Sequence, residues 1–128
     1  MPPASAFASV AGGAVLGAWL RWFLIGKFNA ALPHLPLGTL MANVAGGFII
    51  GFAVAFLIDN PQMHPNVRLF LITGFLGALT TFSSFSAESL ELLHAGRYAW
   101  ALAHTCAHLV GSLAAAALGF AACKGLGG

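Results

Sequence analysis

Charge is what this sequence has least of. Asp, Glu, Lys and Arg make up 6% of its 128 residues, three acids against five bases, where a soluble domain carries about 25%. A chain with so little polar surface cannot stay dissolved, so it reads as an integral membrane protein. A net charge of +2 and the lack of any basic run exclude a nucleic-acid partner. Cysteine is nearly absent too. Cys106 and Cys123 form no CxxC pair and read as small core hydrophobes, with no disulfide expected. No Lys or Arg precedes the first apolar run in "MPPASAFASV", so a cleavable secretory signal is not expected and the first span is retained. Enzyme signatures are missing: there is no GxSxG, no HExxH and no P-loop. No acid lies in mid-span, as a proton-coupled antiporter would want. Glu88 and Glu91 fall at the exit of a span and read as a solvated helix end.

What is present is apolar sequence, 59% hydrophobic with a mean hydropathy of +0.90. A crossing helix needs ~20 mostly apolar residues, and four such stretches fit, at about 4–26, 37–58, 69–90 and 98–123. The short connections "NAALPHLP", "DNPQMHPN" and "LLHAGR" carry the Pro, Asn, Gly and charge that end helices. Nothing remains for a soluble unit, so residues 1–128 read as one all-α transmembrane domain. Four spans put both termini on one side of the bilayer. That side holds Arg68 and Lys124; the other holds Lys27 and Arg97, plus Arg21 if it snorkels there. Orientation follows a clear Lys/Arg excess, and this chain has almost none. Such balance fits insertion in both directions and an antiparallel, dual-topology homodimer, or else some further factor fixes one topology.

Residues four apart share a helix face. The first span then presents Ser5, Ser9, Gly13, Gly17 and Arg21, the second Thr39, Asn43, Gly47 and Gly51, the fourth His104, His108 and Ser112. Small residues in such stripes let backbones approach closely in lipid. Polar ones either bond a neighbouring helix or line a polar path. Asn43, central in its span, must do one or the other, and Arg21 either snorkels or serves a function. His104 and His108 have a spacing that can grip a metal, but no carboxylate accompanies them in their span, and polar lining or helix–helix hydrogen bonding fits better. His34, His64 and His94 lie at loops or span ends and read as interfacial.

The third span is the irregular one. "TGFLGALTTFSSFSAES" (73–89) places Thr80, Thr81, Ser83, Ser84 and Ser86 around Phe82 and Phe85, just after Gly74 and Gly77. Glycines weaken the helix, and hydroxyls can bond the backbone groups that a break sets free. Irregular backbone at membrane depth is tolerated only where protein or a water-filled cavity covers it. Phenyl edges are electropositive, so two rings among hydroxyl and amide donors suit a compact anion and disfavour cations. Ordinary aromatic packing, with hydroxyls bonded back to their own helix, is the other reading.

"GAVLGAWLR" (13–21), "GTLMANVAGGFIIG" (38–51) and above all "GFLGALTTFSSFSAE" (74–88) closely resemble the Fluc (CrcB-type) fluoride channel family, and the likeness runs through all four spans. The resemblance implies a passive, fluoride-selective channel of the cell membrane. It implies an antiparallel homodimer with two pores along the subunit interface and the third helix broken in mid-membrane. Asn43 would donate to fluoride, Phe82 and Phe85 would edge it, and Thr39 and Ser112 would join the polar lining. Ser83 and Ser86 would lie beside the track, and Arg21 would hold the vestibule electropositive. Gly77 and Thr80 match positions whose backbone carbonyls bind a structural sodium ion between the two subunits. At the positions of His104 and His108 the family tends to have tyrosine and serine. A small dual-topology multidrug antiporter is the alternative, though the first span lacks the acid such proteins depend on. A structural subunit of a larger membrane complex is the third reading, and would transport nothing when purified.

Histidine adds a titratable group to the fourth-span stripe. Fluoride release is therefore expected to change across about pH 6 to 7, the range of an unperturbed imidazole. Measured in liposomes, a release that stays flat from about pH 5.5 to about pH 8 would count against this.

Overall fold

The structure, a computed structural model, describes residues 1–127. It is helical throughout its ordered elements, and four helical stretches are long and apolar enough to cross a membrane. Helix α1 spans Ala4–Phe28 and runs into a 3₁₀ turn at Asn29–Ala31. Helix α2 spans Leu37–Asp59. The third stretch comes in two pieces, α3 over residues 65–79 and α4 over Phe82–His94. Helix α5 is the longest, Tyr98–Gly127.

Local chemistry explains where α3 begins, some four residues before the apolar run that marks it in the sequence. Pro65 occupies the first turn, where its missing N–H costs nothing, and the Asn66 N–H donates to His64 Nδ1 at 3.0 Å. His64 is thus an N-terminal cap. Within α3, Leu69–Leu76 winds as a π-helix, a wider turn often found at functional sites. The run stops at Leu79, because Thr80 and Thr81 are extended (ψ of 152° and 112°), and it resumes at Phe82.

Packing rests on small residues. Helix α2 lies along α5, and α1 lies along α3. At Gly51 the α2 backbone touches the Ala116 carbonyl of α5 so closely that no Cβ fits between them, and at Gly119 α5 does the same to Phe48 of α2. Gly13 and Gly17 of α1 meet the carbonyls of Phe70 and Phe75 in the same way. The glycine stripes are therefore helix-packing seams, the arrangement small residues permit where lipid offers no hydrophobic drive. Large side chains such as Trp19, Trp22, Phe23, Leu102 and Leu118 point outward, as a helix facing hydrocarbon requires. Cys123 is buried but Cys106 lies on an exposed face, so only one of the two thiols is a core residue; both are free. At one end Lys124 Nζ spans both carboxylate oxygens of Asp59, at 2.9 and 3.1 Å, an exposed pair worth about 0–1 kcal/mol.

Gly51→Val would drive two methyl groups into the Ala116 carbonyl. The expected cost is about 1–3 kcal/mol or more. Thermal unfolding in detergent checks this, with a substitution at the outward-facing Leu102 as the control that leaves the midpoint in place.

Candidate functional site

The interruption at Thr80 and Thr81 frees backbone groups that would be costly in a bilayer, and side chains from three directions satisfy them. Thr81 caps α4, its Oγ1 accepting the Ser84 N–H at 3.0 Å. Thr80 closes the end of α3, with both its N–H and its hydroxyl donating to the Leu76 carbonyl. From α2, the Asn43 amide pairs with both backbone groups of Thr81. Thr81 N–H donates to Oδ1 at 2.7 Å, and Nδ2 donates to the Thr81 carbonyl at 3.1 Å. From α1, Arg21 Nε donates to the Ala78 carbonyl at 2.9 Å. The polar members of two predicted stripes, Asn43 and Arg21, thus converge on one break.

Two carbonyls come out of this arrangement without their helical donors. A continuous helix would send the Thr81 N–H to Gly77 and the Ser84 N–H to Thr80, but both are diverted, to Asn43 and to Thr81 Oγ1. Gly77 and Thr80 are the residues singled out for a sodium ion. Two neutral carbonyl oxygens released from helical bonding fit a hard monovalent cation, which prefers oxygen ligands.

A cavity of about 690 Å³ opens beside the break. Its wall includes Asn43, Gly77, Thr80, Phe82, Phe85, His108 and Ser112. Phe82 is 80% exposed, with its ring centroid 5.5 Å from that of Phe85. Phe85 turns the other way, stacked on His104 at 5.0 Å and tilted against His108 at 4.8 Å. Ser83 and Ser86 lie exposed on α4. The Ser86 hydroxyl donates back to the Phe82 carbonyl at 2.8 Å, and Ser83 Oγ lies 3.2 Å from Thr81 Oγ1.

Thr39 and His104 are fully buried, away from the cavity wall. They meet a residue that the sequence reading sent to a solvated helix end. Glu88 is turned inward, its side chain only 14% exposed. The Thr39 hydroxyl donates to Glu88 Oε2 at 2.5 Å, and His104 Nε2 lies 3.0 Å from Oε1. Asn29 closes one end of this chain, accepting the Thr39 N–H at 2.9 Å and donating to its hydroxyl at 3.2 Å. Ser89 Oγ closes the other, 3.0 Å from His104 Nδ1. Asn29, Glu88 and Ser89 were missed as site residues. A signal existed for two of them, because Glu88 and Ser89 follow Phe85 by three and four positions and share its helix face.

His108 has Nδ1 3.0 Å from Asn43 Nδ2. Its Nε2 is buried and has no hydrogen-bond partner among the described residues, a deficit of about 1–3 kcal/mol. Glu88, His104 and His108 each bring one ligand atom to within 4.8 Å of the others, so the carboxylate missing from the fourth span arrives from α4.

Removing His104 would strand a buried carboxylate. His104→Leu is expected to destabilise the fold by about 3–5 kcal/mol, the cost of breaking a buried pair from one side. Adding Glu88→Gln to it should recover part of that loss in a thermal unfolding series, whereas independent contributions would simply add.

A sequence profile of the family described as "CrcB-like protein, Camphor Resistance (CrcB)" matches residues 8–120. A protein of Acinetobacter baylyi named "Fluoride-specific ion channel FluC" is 56% identical over 115 residues, 90% of this chain and 90% of its own length. Proteins of the same name from Pseudomonas syringae pv. maculicola and Cupriavidus pinatubonensis are each 56% identical. They cover 86% and 88% of this chain, and 87% and 90% of their own.

Proposed function

The chain belongs to the CrcB-like family, and from that membership we propose that it is a fluoride-selective ion channel, through which the anion leaves the cell passively. It is a multi-pass integral protein of the cell membrane and not an enzyme. The observation that carries the reading is the interrupted third helix. Its backbone is held by the Asn43 amide, with Phe82 and Phe85 directly after the break and a cavity alongside.

Fluoride holds its water tightly, so a pore must offer replacement donors yet bind weakly enough to let the ion go. The cavity wall is suited to that. It brings the Ser112 hydroxyl together with the rings of Phe82 and Phe85, whose edges are electropositive, and it holds no carboxylate. Asn43 organises this wall. Thr39 and His104 stand behind it and engage the one inward-facing acid, Glu88, so that its charge is met before an anion passes. Ser83 and Ser86 flank the track on α4. Arg21, held to the break by its Nε, contributes the positive charge that draws anions toward the vestibule.

The working unit is an antiparallel, dual-topology homodimer with two pores along the subunit interface and the third helix broken in mid-membrane. Three features support this: the near-even split of Lys and Arg between the two sides, the strongly exposed Phe82 ring, and a cavity walled by α2, α3, α4 and α5 that a second copy would complete. A sodium ion, held by the free carbonyls of Gly77 and Thr80, would supply a fixed positive charge between the two copies. The antiporter reading finds no acid between Ala4 and Phe28. It also finds the carboxylate of Glu88 already engaged on both oxygens.

Purified protein in liposomes loaded with fluoride tests the reading, with a fluoride electrode recording release after a potassium ionophore is added. Rapid release is expected, with none from chloride-loaded vesicles. Asn43→Asp sets a carboxylate against the Thr81 carbonyl, and Phe82→Ile removes a ring. Both should bring release down to the level of protein-free vesicles. Silence from the unsubstituted protein across several pH values, with sodium present, would sink the channel reading.

A further inference from the structure

His108 is the buried polar side chain whose hydrogen bonding does not close. Which of its nitrogens carries the proton is decided one residue away. The Thr81 N–H can only donate, and it meets Asn43 Oδ1; the Thr81 carbonyl can only accept, and it meets Asn43 Nδ2. The amide therefore cannot be turned over, and the group it presents to His108 is its NH₂. An NH₂ can only donate, so His108 Nδ1 accepts, and the proton of the neutral ring sits on Nε2. Asn43 has then spent one hydrogen on Thr81 and the other on His108. It has none left for a ligand. The free donor at this point of the wall is His108 Nε2–H, buried and without a partner.

Resting on the channel reading, we propose that His108 is an anion-binding donor of the pore, a neutral imidazole locked as its Nε2–H tautomer by Asn43, with that N–H reserved for dehydrated fluoride. The ring lines the cavity together with Phe85, Thr80 and Ser112. A neutral N–H binds a halide without the deep well that a fixed charge would create, which suits an ion that must also leave. Nε2 is sealed by the packing around it, where Phe85 lies 4.8 Å and His104 4.6 Å from the ring, centroid to centroid. For an ion to reach it the side chains packed around the ring must give way, and Phe85 borders the same cavity. Asn43 becomes a positioning residue, acting on the anion through the imidazole it orients.

The same lock argues against the other ligand that this cluster suggests. Glu88, His104 and His108 are close enough to gather around a transition metal. A metal on His108 Nε2 needs a lone pair there, and so a proton on Nδ1 facing the hydrogens of the Asn43 NH₂. What makes His108 a donor makes it a poor metal ligand.

The test uses the full-length protein with isotope-labelled histidine in lipid nanodiscs, where imidazole nitrogen resonances separate a protonated nitrogen from a bare one. The His108 signals are those lost in His108→Gln. The expected result is a proton on Nε2 and a resonance that moves with sodium fluoride but not with sodium chloride. In liposomes, His108→Leu should slow fluoride release by about 10- to 100-fold, the loss of one hydrogen bond to an ion. His108→Gln, which ends in an NH₂ near the place of Nε2, should restore part of it. A proton on Nδ1 would overturn the proposal, as would tight zinc uptake abolished by His108→Gln. So would a His108 resonance indifferent to fluoride in protein that releases fluoride from liposomes, and in that case the channel reading stands. If the unsubstituted protein releases none, the channel reading falls instead, and a fluoride-specific shift keeps His108 as a binding site.

Discussion

The pairing of the Asn43 amide with the backbone of Thr81 is the interaction on which the rest of this structure depends. An extended pair of residues inside an apolar helical bundle leaves peptide groups with no water to turn to, and each unsatisfied one costs several kcal/mol in hydrocarbon. A side-chain amide carries a carbonyl and an NH₂ side by side on one plane, so it can accept from the N–H and donate to the carbonyl of the same residue, as a neighbouring strand would. With Asn43 in place, Thr81 can stay extended, its hydroxyl can cap α4, and Phe82 and Phe85 leave the break at the start of a new helix. Aspartate offers the same shape but only the acceptor half.

That pairing needs α2 held close to its neighbours, and the glycine seams hold it. Gly51 and Gly119 bring α2 and α5 into backbone contact, so that Asn43 and His108, on facing helices, lie within hydrogen-bond reach. Gly13 and Gly17 bring α1 against α3, which lets Arg21 reach the Ala78 carbonyl. In lipid such close seams replace the hydrophobic drive that would pack a soluble bundle. The polar groups of the site are thus placed by residues that carry no functional chemistry of their own.

Much of this was legible in the sequence, for identifiable reasons. The four spans declare themselves because hydrocarbon demands long apolar runs, and the third span's irregularity shows in Gly74, Gly77 and the hydroxyls that follow. Asn43 stood out because an amide central in a span must find a partner, although nothing local named Thr81 as that partner. Glu88 was misplaced because its environment is tertiary. Its partners Thr39 and His104 come from α2 and α5, and no pattern within α4 announces them. Helical spacing placed His104 and His108 on one face, yet the two rings do different work. One lies behind the wall against an acid, and the other lines the cavity with an N–H to spare.

The divided third stretch bears on how the protein comes to be built. Neither residues 65–79 nor Phe82–His94 reaches the ~20 residues that a crossing helix needs, so each half is too short to span a bilayer alone. During synthesis the second span leaves the ribosome first, carrying Asn43 ahead of the segment it completes. The backbone groups set free at Thr81 meet their amide partner only beside α2, so the broken form of the third stretch is completed by a neighbour rather than within the stretch itself. The order of the spans along the chain then places the amide before the break that it satisfies.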